Sequence, residues 1–106
     1  MTKIEKQTQR VRRMEAILDD VQAAERSLEA ALEQFEKLPP AVRRLDAYYS
    51  THWREDFEAD EADLLPKDLK RGVLNEDAVW DALGDYRCLT LRMLDAVRNS
   101  FTKGLL

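Results

Sequence analysis

Between Lys3 and Leu38 the chain has no glycine and no proline, and no other stretch limits the fold so strongly. Ile4, Val11, Met14, Leu18, Val21, Leu28, Leu32 and Phe35 fall on the a and d positions of one heptad frame, interrupted by Gln7 and Glu25. From Ile17 onward a second stripe (Ile17, Ala24, Ala31, Leu38) runs one position ahead of each a. Two adjacent stripes make a face wide enough for two neighbours, whereas the face before Ile17 is narrow. The pattern predicts one helix of about 35 residues, about 50 Å long at 1.5 Å per residue. Its later two thirds are expected in a bundle core. Its first third, residues 1–14, is expected to project or to pair with another chain.

Leu38-Pro39-Pro40 must end that helix, because proline disfavours helix in the residue before it. Pro40 suits the first turn of a second helix, with Val42, Leu45, Tyr48 and Tyr49 on its apolar face. Ser50-Thr51 offers a stop and a new cap, after which Trp53 and Phe57, four apart, share a short helical turn. In the connector, residues 50–74, Pro66 suits the start of a short helix and Lys70 and Arg71 its last turn. Gly72 is expected at the left-handed position that ends it. Asn75 is a preferred N-cap, followed by Glu76 and Asp77 where carboxylates complement the helix dipole. The last helix carries Val79, Leu83, Tyr86, Met93, Leu94, Val97 and Phe101 on one face and is expected to reach about Ser100. Gly84 inside it costs roughly 1 kcal/mol against alanine.

These signals describe an all-α fold. It is a three-helix bundle with a long first helix, a shorter second, an ordered connector with short helical turns, and a long last helix. With 106 residues the chain is expected to form a single domain, and three glycines and three prolines are too few for a many-stranded sheet protein. A domain of this size buries only about 60–70% of its unfolded surface, so association would help it. The net charge of −4 argues against a dedicated nucleic-acid binder. Cys88 is the single cysteine, so no intrachain disulfide is possible. The start of the chain lacks a signal-peptide core, and no run approaches the roughly 18 apolar residues that span a bilayer. A cytoplasmic protein without a membrane partner is expected.

Charge is distributed unevenly. Residues 1–14 carry five bases against Glu5, and residues 15–39 carry seven acids against Arg26 and Lys37. That order opposes the dipole of the first helix. An up-down-up bundle answers it by placing the basic start beside the acidic start of the last helix. Antiparallel pairing of two copies of the first helix answers it equally well.

Three groups of residues invite a functional reading. Glu55, Asp56, Glu58, Asp60, Glu61 and Asp63 form an acidic run, but a calcium loop begun at Asp56 has Glu61 where glycine is needed and Lys67 where glutamate is needed. Glu55, Glu58 and Glu61 share one helical face. With Glu76, Asp77 and Asp81 they are the candidate ligands for Mg²⁺ or Mn²⁺ in a helical hydrolase, a pattern similar to that of all-α nucleotide pyrophosphohydrolases but without their paired motifs in register. The bland alternative is a solvated, salt-bridged rim. His52 is the single histidine. Cys88 lies opposite the apolar stripe of the last helix, so a surface thiol is expected rather than a Cys-His pair. Arg10, Arg12 and Arg13, with Lys3 and Lys6, form a basic arm for an acidic partner or nucleic acid, or a plain solvated face. No glycine loop for phosphate and no nucleophile elbow occurs, so no cofactor is expected.

RVRRMEAILDD, followed by LDAYYSTHWREDFEADEADLLPKDLKRGVLNEDAVWDAL, resembles an uncharacterised bacterial family, domain of unknown function 4298. The resemblance covers residues 4–98 and is most specific from Tyr48 to Leu83, with Asn75 where the family has serine. It implies a small bacterial helical protein and brings no catalytic residues. The expected function is a non-enzymatic protein-interaction module, a homodimer through Ile4, Val11 and Met14 at the start of the first helix. A metal-dependent hydrolase and a basic-arm binder are the alternatives.

Overall fold

Thr2 opens the first helix. In a computed structural model describing residues 1–106, its hydroxyl accepts the Glu5 amide at 3.1 Å and the Glu5 carboxylate accepts the Thr2 amide at 3.4 Å. This reciprocal capping box satisfies amides that a helix start leaves bare. Helix α1 then runs Lys3–Glu36, as its glycine- and proline-free sequence predicts.

The chain divides into two compact units, Met1–Pro39 and Pro40–Leu106. The first unit is α1. A lone helix has no other element of its own unit to cover its apolar stripe, and Ile4, Val11, Met14 and Leu28 are each more than half exposed.

The second unit holds α2 (Pro39–Thr51, whose first residue belongs to the preceding unit), α3 (Trp53–Glu61), one 3-10 turn (Gly72–Leu74) and α4 (Ala78–Thr102). No strand is present, so the fold is all-α, with long helices at both ends and short helical turns in the connector. Pro39, one residue before the expected start, is the first helical residue of α2. Both prolines sit where an amide has no helical acceptor to lose.

Ser50 and Thr51 do not cap α3. Their hydroxyls donate back to the carbonyls of Asp46 and Ala47, at 2.9 and 2.6 Å, the bond open to any hydroxyl four residues further along a helix. The helical pattern passes through His52, whose amide reaches the Tyr48 carbonyl and whose carbonyl accepts the Asp56 amide, both at 3.0 Å. Tyr49, Trp53 and Phe57 therefore stay on one face.

Helix α3 ends in a Schellman motif with Asp63 at φ 58°. The Asp63 amide reaches the Asp60 carbonyl and the Leu64 amide the Ala59 carbonyl, both at 3.0 Å. Helix α4 ends the same way, with Gly104 at φ 71° and the Leu105 amide on the Ser100 carbonyl at 2.9 Å. Gly72, expected in the left-handed region, instead begins the 3-10 turn with an ordinary φ.

The short helix expected from Pro66 is a single turn, Leu69 amide to Pro66 carbonyl at 3.3 Å. Its carbonyls are taken by the Arg71 side chain instead. Asn75 acts two residues ahead of its expected place. Its Oδ1 accepts the Asp77 amide at 3.0 Å and α4 starts at Ala78, so Glu76 and Asp77 precede the helix and Asp81 is the acid of its first turn. Leu74 and Val79 are the buried residues, and the 3-10 turn packs against both α3 and α4.

Candidate functional site

The acidic run is split by what its members already hold. Asp56 Oδ2 accepts the Tyr48 hydroxyl at 2.8 Å. Burial first, and then the Asp56 carboxylate, push the Tyr48 phenol up from its ordinary value to about 12, so it stays a donor. Asp60 Oδ1 accepts Arg71 Nε at 2.6 Å. The same guanidinium donates through Nη1 to the carbonyls of Lys67 and Leu69, at 3.1 and 2.8 Å, and through Nη2 to that of Pro66 at 2.6 Å. Arg71 thus pins three connector carbonyls to α3, a task suited to a rigid fork of donors.

Glu55, Glu58 and Glu61 are exposed, as are Glu76, Asp77 and Asp81. No group of three or more His, Cys, Asp or Glu side chains is placed to hold a metal. His52 is exposed, with Nδ1 3.9 Å from Glu55 Oε2, and Cys88 is an exposed free thiol, as its place on the helix predicts.

Aromatic rings join α2, α3 and α4. Tyr49 and Trp53 lie 5.5 Å apart between centroids, Trp53 and Phe57 stack at 4.9 Å, and Tyr49 reaches Trp80 at 6.5 Å. Trp53 Nε1 donates to the Val73 carbonyl at 2.8 Å, tying the ladder to the 3-10 turn. An open, almost wholly apolar depression of about 510 Å³ lies beside it, lined by Ala41, Arg44, Leu45, Tyr48 and Val73.

Helix α1 presents the other candidate surface. Arg10, Arg12 and Arg13 are exposed on its first third, beside Ile4, Val11 and Met14. An open depression of about 380 Å³ is lined by Ile4, Gln7, Thr8, Val11 and Arg12. No helix is long and apolar enough to cross a membrane.

The Arg71 clamp and the Tyr48–Asp56 bond escaped the sequence reading, because both join residues whose meeting depends on how the connector folds. The Thr2–Glu5 box did leave a signal, a threonine three residues ahead of a glutamate. No curated protein and no solved structure matches the chain. The model of one family, described as a domain of unknown function (DUF4298), matches residues 11–96, and the chain belongs to that family.

Proposed function

We propose that the chain is a non-enzymatic helical interaction module of the bacterial cytoplasm, acting through the apolar stripe of α1. One observation carries this reading. The first unit is a single helix of 34 residues with an apolar stripe that no other element of that unit covers. A helix with such a stripe docks against another helix or a groove by its i, i+3, i+4 and i+7 residues. In the second unit, Asp56 and Asp60 are engaged by Tyr48 and Arg71, bonds that serve the fold.

The test is a Leu18→Asp variant of the full chain, compared with wild type in sedimentation and in affinity capture from the native cell. The variant should lose association, whether with itself or with another protein, while the second unit keeps its fold. Unchanged association in both assays would contradict the proposal.

A further inference from the structure

The stripe of α1 has two polar interruptions, Gln7 and Glu25, and an open depression at the first of them. Ile4, Gln7, Thr8 and Val11 in that depression are the i, i+3, i+4, i+7 diamond that receives a knob from a facing helix. Its walls are apolar at Ile4 and Val11. Its rim carries the Gln7 amide and the Arg12 guanidinium as donors, while the Thr8 hydroxyl already donates to the Ile4 carbonyl at 2.8 Å. A side chain with an apolar stem and a carboxylate tip fits such a hole. Glu25 is the residue of the stripe with that chemistry.

Resting on the interaction reading of α1, we propose that its partner is α1 of a second copy. The two helices run antiparallel, with Gln7 level with Glu25 of the second copy. The register then sets Ile4 against Leu28, Val11 against Val21 and Met14 against Leu18, so every other layer is apolar. The polar groups that would otherwise enter the seam alone meet each other, which removes the penalty of burying them unpaired.

Other arrangements do worse on the same residues. A parallel pair sets Glu25 on Glu25, two carboxylates in one apolar seam. Full antiparallel overlap sets Gln7 against Leu32 and Glu25 against Met14, leaving both polar groups without a partner.

The flanks agree. In an antiparallel pair each flank meets its own copy, so Ile17 packs on Ile17 of the second copy. In a parallel pair the row of Ile17, Ala24 and Ala31 would face the row of Glu15, Gln22 and Glu29. The long-range charge agrees too, since Lys3, Arg12 and Arg13 lie level with Glu29, Asp20 and Asp19 of the second copy. The opposing terms are Glu15 across from Glu15 at the other flank and Lys6 level with Arg26 of the second copy, both in solvent where salt screens them.

Charge changes at the polar layer test the register on the full chain. Gln7→Glu should weaken the dimer at least about tenfold by sedimentation, with the fold of the second unit unchanged, because it places two carboxylates in one seam. Adding Glu25→Lys to Gln7→Glu should restore it. Failure of that rescue, or no effect of Gln7→Glu, overturns the register.

Spin labels on outward positions read the orientation independently, in a Cys88→Ser background. Labels at Ala16 should be level across the dimer, and labels at Ala30 about 40 Å apart along the axis. Equal distances at both sites would mean a parallel pair and overturn the proposal. A wild-type monomer at every concentration overturns it as well. The wider interaction reading would survive that result if another protein were captured and then lost in Leu18→Asp.

Discussion

The two units hold their backbone in different ways. The first is one helix, secured at its start by the Thr2–Glu5 box and along its length by its own hydrogen bonds. In proteins, packing of an apolar face supplies most of what keeps a helix formed. The second unit has short helices and a connector, and fastens them with specific side-chain bonds around a small buried centre at Leu74 and Val79. Arg71 holds the connector to Asp60, Trp53 holds the 3-10 turn, and Tyr48 holds Asp56. The first unit keeps its apolar residues along one helix, whereas the second spends its polar side chains on holding short elements together.

The largest expected effect comes from opening the clamp. Arg71→Ala removes the Asp60 pair and three carbonyl bonds together, and should destabilise the second unit by about 2–4 kcal/mol in urea unfolding. Arg71→Lys should recover less than half of that loss, because an ammonium cannot reproduce the fork. A loss within experimental error would break the contrast, since the connector would then be held by packing.

Tyr48→Phe should cost about 1 kcal/mol at neutral pH. It also carries a pH signature. The phenol is raised to about 12 in the folded chain, so its contribution is complete below pH 10 and is lost as pH rises from about 10 to about 12. The wild type should lose more stability than Tyr48→Phe across that window, and parallel losses would mean that burial and Asp56 do not raise the phenol in the folded chain.

Asp63 is expected to act in the opposite direction. It is the one non-glycine residue in the left-handed region, where a side chain is strained. Asp63→Gly should stabilise the second unit by about 0.5–1 kcal/mol, measured as a raised urea midpoint. Thr2→Ala is the smallest, at about 0.5 kcal/mol, and should be read as faster amide exchange confined to the first turn of α1.

Much of this architecture was legible, for local reasons. The heptad frame and the absence of breakers predicted α1, the paired prolines predicted its end, and the spacing from Val79 to Phe101 predicted α4. What sequence patterns missed depends on meetings between separated residues. PKDLKR has the composition of a short helix, but Arg71 reaches back to Pro66, Lys67 and Leu69 and replaces the helical bonds with its own. Gly72 looked like a helix stop because glycine tolerates that geometry, yet Asp63 occupies such a position at the end of α3. The acidic run was legible as a charged segment. That Asp56 and Asp60 are engaged while Glu55, Glu58 and Glu61 are exposed was not, because it follows from where Tyr48 and Arg71 arrive.

The contrast is tested most directly by amide hydrogen exchange of the full chain over a range of concentrations. Self-pairing of α1 predicts that amides from Ile4 to Leu28 exchange rapidly in dilute solution and become protected as concentration rises, while those around Leu74 and Val79 keep the same protection throughout. Protection of α1 that is independent of concentration would contradict it.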